Sequence, residues 1–120
     1  MARIIIIDDE EDVRKVLEMA LTSAGHLVLC AADGDEGLEL RRAHPADLVI
    51  TDLFMPKHEG IETIRELRRD FPKLPIIAMS GQSMADVMLQ IAHQLGVIEV
   101  LQKPFDVPTL RAAVDRALAQ

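Results

Sequence analysis

Leu48-Val49-Ile50-Thr51-Asp52-Leu53-Phe54-Met55-Pro56 is an apolar run that ends in one carboxylate and breaks at once into a proline-marked loop. A run this short, bounded by turn residues, fits a strand buried on both faces. In open parallel sheets ligands sit just beyond the carboxyl ends of the strands, which is where Asp52 falls. A carboxylate there is costly unless it is paired or used. Asp52 is therefore the residue expected to carry the chemistry.

The same pattern recurs on either side. Ile4 to Ile7 is a β-branched run that stops at the acids Asp8-Asp9-Glu10-Glu11-Asp12. Val13, Val16, Leu17, Ala20, Leu21 and Ala24 then recur at helical spacing, predicting a helix over Glu11 to Ala24 that Gly25 closes. Leu27 to Ala31 reads as a second strand, with Asp33-Gly34-Asp35 as a turn and a helix over Glu36 to Ala43. Leu48 to Thr51 is the third strand, and a helix carrying Ile61, Ile64, Leu67 and Phe71 follows Gly60. Pro75 to Met79 is the fourth, ending at Ser80-Gly81, and a helix follows over Ser83 to Gln94. Val97 to Leu101 is the fifth; Lys103-Pro104-Phe105 comes next, and Asp106 with Pro108 opens a last helix through Leu110, Val114, Ala117 and Leu118. Strand and helix alternating five times imply a parallel sheet wrapped by helices on both faces through right-handed crossovers.

Composition narrows the function. At 120 residues the chain suits one domain, 1–120, long enough to bury roughly two-thirds of its unfolded surface. A net charge of −7, with no long basic block, argues against direct nucleic-acid binding. The single cysteine, Cys30, lies in an apolar stretch and reads as an inert core thiol of a reduced, cytoplasmic protein. The opening residues are too short an apolar run for a signal peptide or membrane span.

By the strand-end rule, Asp8 and Asp9, Asp52, Ser80 and Lys103 gather on one rim. Three carboxylates that close raise one another's pKa unless a cation is present, and Mg²⁺ (or Mn²⁺) with its preference for oxygen ligands meets that need. Lys103 and Ser80 offer a charge and a hydroxyl to a phosphate on the same ion. Taken singly, a turn serine or a surface lysine means little, and Glu10, Glu11 and Asp12 read as a solvated run at a helix start. His26, His44, His58 and His93 have no spacing that suggests a metal site, and Met79, Met84 and Met88 read as core fillers.

Taken in order, Asp8-Asp9, Asp52 with Met55-Pro56 and Gly60, Ser80-Gly81 and Lys103-Pro104-Phe105 resemble the receiver domain of two-component response regulators over essentially the whole chain. The resemblance implies a flavodoxin-like (βα)5 doubly wound fold with strand order 2-1-3-4-5, of which the chemotaxis receiver is a standing example. It implies that Asp52 accepts a phosphoryl group from a sensor histidine kinase or histidine phosphotransfer protein. It also implies metal ligation by Asp8, Asp9, Asp52 and the Phe54 carbonyl, phosphate contacts from Lys103, Ser80 and the Gly81 amide, and a cis Lys103-Pro104 bond. An output partner or second copy would use the surface made by helix four, strand five and helix five, as part of a longer protein or alone.

Two positions depart from the family pattern. Val100 stands where the family often has a Tyr or Phe that reports phosphorylation. Phe54, two residues after Asp52, borders the path of attacking water in the family and is expected to slow loss of the phosphoryl group. Phe54 also replaces the second acid that an aspartyl-nucleophile phosphohydrolase or mutase commonly carries there, which disfavours that class. A scaffold that binds partners without phosphorylation is the other alternative, and the joint presence of Asp8, Asp9, Asp52, Ser80 and Lys103 argues against it. Met84, Val87, Met88, Leu89, Ile91, Ala92 and Leu95 cover more of helix four than one core stripe needs; a partner face and a broadly buried helix both fit.

Overall fold

Four consecutive isoleucines build an interior strand of the sheet. β1 (Arg3–Ile7) lies between β2 (Leu27–Ala31) and β3 (Leu48–Asp52), and the sheet continues through β4 (Ile76–Ser80) to β5 (Glu99–Gln102). All neighbouring strands pair in parallel, in the order β2-β1-β3-β4-β5. The computed structural model describes residues 1–53, 60–81 and 86–119, with only the backbone of 87–89.

Alternation along each strand feeds two cores. Ile4 and Ile6 of β1, Leu48 and Ile50 of β3, and Ile77 and Met79 of β4 pack against α1 (Glu11–Ser23) and α5 (Val107–Leu118). Ile5 and Ile7, Val49, and Ile76 and Ala78 face the other way, onto α2 (Gly34–Ala43), α3 (Gly60–Asp70) and α4 (Asp86–Gln94). Continuous apolar strands are thus consumed on both faces, each buried isoleucine contributing about 1.5–3 kcal/mol. Gly37 brings α2 onto β1, because a Cβ at that position would collide with the Ile7 side chain.

Several element ends differ from the expected ones for identifiable reasons. α2 begins at Gly34, not Glu36, because the Asp33 side chain accepts the Glu36 N–H at 2.9 Å and caps the helix. α1 ends at Ser23, one residue early. There Gly25, at φ +94°, donates to the Thr22 carbonyl while His26 N–H reaches Leu21 O, a glycine-terminated closure. The same closure at Gly96, φ +82°, uses the Val97 N–H on Ala92 O, so Val97 is spent before β5 and the strand starts at Glu99. β3 and β4 each run one residue further than expected, since Asp52 pairs with Met79 and Ser80 with Gln102. The predicted start of α4 at Ser83, together with Met84, Met88 and Leu89 as a face, lies outside the described residues and side chains.

Two side chains depart from the helical pattern. Val16, placed by its spacing on the inner stripe of α1, is 58% exposed, because Leu17, Ala20 and Leu21, with Val13 partly buried beside them, fill the contact with the core. Met19 is exposed beside it. Cys30 packs partly buried against the α1 and α5 core.

Candidate functional site

The site is built from chain that has just left the sheet. Asp8 follows β1 and is fully buried, with its N–H bonded to the Ala31 carbonyl of β2. Its carboxylate is divided: Oδ1 accepts the Glu10 N–H at 2.9 Å, and Oδ2 accepts Lys103 Nζ at 2.8 Å. Asp52 is the last residue of β3, only 6% exposed, and its Oδ2 accepts the same Lys103 Nζ at 3.1 Å. One ammonium therefore joins two buried carboxylates from different strands.

Lys103 is delivered by β5. Its backbone N–H bonds the Ser80 carbonyl at 2.7 Å, so the ends of β4 and β5 advance together, and the Lys103–Pro104 peptide is cis. Burial works against the ammonium, but the hydrogen bond it donates to Asp8 and the charges of Asp52 and Asp8 outweigh it and hold its pKa above the ordinary lysine value. The lysine stays charged across the physiological range. Ser80, at the end of β4, is buried, and Gly81 next to it lies on the wall of a groove.

Asp9 and Glu10 complete the acidic side. Asp8, Asp9 and Glu10 each offer a carboxylate oxygen, all within 4.8 Å of one another, and the last two are exposed. Such a set of hard oxygen donors fits a divalent cation of the Mg²⁺ class. Asp52 is not part of that group and connects to it through Lys103. Glu10 also stands 3.8 Å from Lys103. By its sequence context Glu10 reads as a solvated helix-start acid, and its place directly after Asp8-Asp9 is the signal that it joins the cluster. The Phe54 carbonyl, expected as a ligand, lies outside the described residues.

Gly60 fixes how α3 returns to the site. Its N–H donates to Leu53 O at 3.1 Å, and a Cβ at Gly60 would run into the Asp52 carbonyl and the Leu53 backbone. Thr51 supports the same peptide, its hydroxyl donating to Asp52 O at 3.2 Å. On the other side of Lys103 an open groove of about 700 Å³ runs between α1 and the segment after β5, walled by Val13, Val16, Leu17, Pro104 and Phe105. The pattern of strands and helices did not reveal this groove, because it arises between elements distant in sequence.

Comparisons with known proteins agree with this fold. Among curated relatives, the DNA-binding transcriptional regulator NtrC of Klebsiella pneumoniae is 35% identical over 114 residues, covering 95% of this chain and 24% of that protein. The chain thus spans about a quarter of the length of that relative. Among solved structures, the chemotaxis protein CheY4 of Vibrio cholerae superposes with a TM-score of 0.92 at 29% identity, covering 98% of this chain and 99% of that one. A response regulator receiver domain protein from Clostridium thermocellum gives 0.91 at 31% identity, covering 99% and 95%. The model of the Response regulator receiver domain family matches residues 4–115, and the chain belongs to that family.

Proposed function

We propose that the chain is a phosphorylation-controlled switch in which Asp52 takes a phosphoryl group from the phosphohistidine of a sensor histidine kinase or a phosphotransfer protein. The chain is a receiver domain, a signalling module of two-component systems. The observation that carries the finer reading is the Lys103 ammonium held between Asp8 Oδ2 and Asp52 Oδ2 at 2.8 and 3.1 Å. A buried carboxylate with a fixed cation at its oxygen is arranged for charge that arrives with a phosphoryl group.

In this reading an Asp52 oxygen forms the new bond to phosphorus as the nitrogen–phosphorus bond of the donor breaks, and the imidazole leaves with the electron pair. Lys103 would then face the phosphoryl oxygens, the Ser80 hydroxyl and the Gly81 amide would supply hydrogen bonds, and Asp8, Asp9 and Asp52 would hold Mg²⁺, with the Phe54 carbonyl as the further ligand the resemblance implies. Glu10, converging with the first two, adds to the negative field on the ion. Bound there, the ion supplies positive charge to the transferring oxygens. The chain binds, orients and releases a phosphoryl group and is not an enzyme acting on a separate substrate.

The new contacts at Ser80 and Lys103 bias a two-state surface on α4, β5 and α5, which an output domain, a partner or a second copy reads. Val100 of β5 packs half-buried on the core shared by α3 and α4, so the signal on this surface travels without an aromatic rotor. The protein works in the cytoplasm, where the lone thiol of Cys30 stays reduced.

The test is incubation of the protein with a small phosphodonor and Mg²⁺, read by intact mass. One base-labile phosphate per chain, absent from Asp52→Asn, supports the reading. No adduct with any donor would sink it.

A further inference from the structure

Among the described residues, Arg14 is a cation bonded directly to the acidic loop that the proposed function leaves without a task. It projects from the first turns of α1, where its N–H bonds the Glu10 carbonyl, and its Nη1 reaches back to donate to the Asp8 carbonyl at 2.7 Å. That carbonyl belongs to the peptide that links Asp8 to Asp9. The Asp8 main chain is therefore gripped on both sides, by Ala31 O at its N–H and by the Arg14 guanidinium at its carbonyl. Oδ1 of Asp8 is meanwhile tied to the Glu10 N–H. These three bonds set the direction of the only turn in which the carboxylates of Asp8, Asp9 and Glu10 converge within 4.8 Å among the described residues.

We infer that Arg14 is a positioning residue of the acidic loop: by holding the Asp8 carbonyl it aims the Asp8, Asp9 and Glu10 carboxylates at a common point and so strengthens cation binding. The inference rests on the proposed reading of that loop as the Mg²⁺ site. Its interest lies in the sign. A guanidinium close to a cation site repels the ion, so electrostatics alone predict tighter Mg²⁺ binding when Arg14 is neutralised. Positioning predicts the reverse, since groups that orient metal ligands typically carry tenfold or more in affinity.

Calorimetric titration of the whole chain with Mg²⁺ alone, at fixed ionic strength, separates the two. Arg14→Gln is expected to bind roughly tenfold more weakly than wild type, with its thermal melt in chelator confirming the fold. Affinity equal to or tighter than wild type would overturn the inference. Arg14→Lys keeps the charge with a shorter, single-headed donor and is expected to bind about threefold more weakly; it carries the test if Arg14→Gln does not fold, and wild-type affinity in Arg14→Lys would then overturn the inference. A wild-type chain that takes up no Mg²⁺ would sink both the proposed function and this inference, whereas wild-type binding with unchanged variants sinks the inference alone.

Discussion

Lys103 and Asp52 stand 51 residues apart in the chain and 3.1 Å apart in space, nitrogen to oxygen. The same nitrogen reaches Asp8, so a single partly buried cation balances two buried carboxylates. Lys103→Met leaves both without it. A stability loss of about 1–3 kcal/mol at neutral pH is expected, below the figure for a fully buried pair because the lysine keeps some contact with water. The alkaline limb gives a second reading. A folded-state lysine pKa above the ordinary 10.5 contributes stability that is complete below 10.5 and is lost as pH rises through the higher folded value. Urea midpoints of wild type should therefore fall more steeply above that pH than those of Lys103→Met; parallel curves would count against the pairing.

Asp52 and Lys103 were legible in the sequence for a plain reason. Both follow β-branched runs short enough to be strands, and parallel strands bring such ends to one rim whatever the loops do. The two-core packing was legible for the same reason, since uninterrupted apolar strands leave no solvent face. What escaped depends on geometry that no local pattern encodes. Val16 has correct helical spacing but sits one step round from the stripe that Leu17 and Leu21 fill. Arg14 and Glu10 take their places from the turn between β1 and α1, and that turn's path is held by side-chain hydrogen bonds to Asp8 that no residue periodicity spells out.

Gly60 offers a test of how tightly the Asp52 backbone is held. It is not a matter of unusual dihedrals, because its close contact is with the Asp52 carbonyl and the Leu53 main chain, which cannot swing aside as a side chain would. Gly60→Ala should cost about 1–3 kcal/mol, as overpacked sites do. It should also lower the yield of the Asp52 adduct in the fraction that stays folded. Stability and adduct yield both unchanged would show that α3 can back away from β3.

Arg68 of α3 makes four backbone contacts. Its guanidinium donates to Pro72 O and Leu74 O at 2.8 Å, and to Leu95 O and Gly96 O at 3.1 Å, tying the end of α3 to the glycine closure that ends α4. Burial lowers its pKa, yet the group remains a cation at any working pH. Arg68→Met keeps much of the stem and loses the fork, so a loss of about 2–3 kcal/mol is expected, discounted for partial exposure. Amide exchange should accelerate at Leu95 to Val97 more than in β1. Uniform acceleration across the chain would mean that Arg68 stabilises the whole fold without any special hold on α4.

Cys30 reports on the outer edge of the sheet. Burial first, and then the nearby Glu18 carboxylate with a long 3.8 Å contact, push its thiol up to about 11, although the Arg14 charge pulls the other way. At pH 8 the thiolate is then on the order of a hundredfold scarcer than for a thiol at the ordinary 9.0. Labelling of the native chain with a thiol reagent should run at least about tenfold slower than labelling in denaturant, where the ordinary value returns. Glu18→Gln should quicken native labelling only a few-fold, because the larger cause, burial against α1 and α5, is left in place. Native labelling as fast as in denaturant would show that β2 opens at the edge, and the inert role read from the sequence would fail with it.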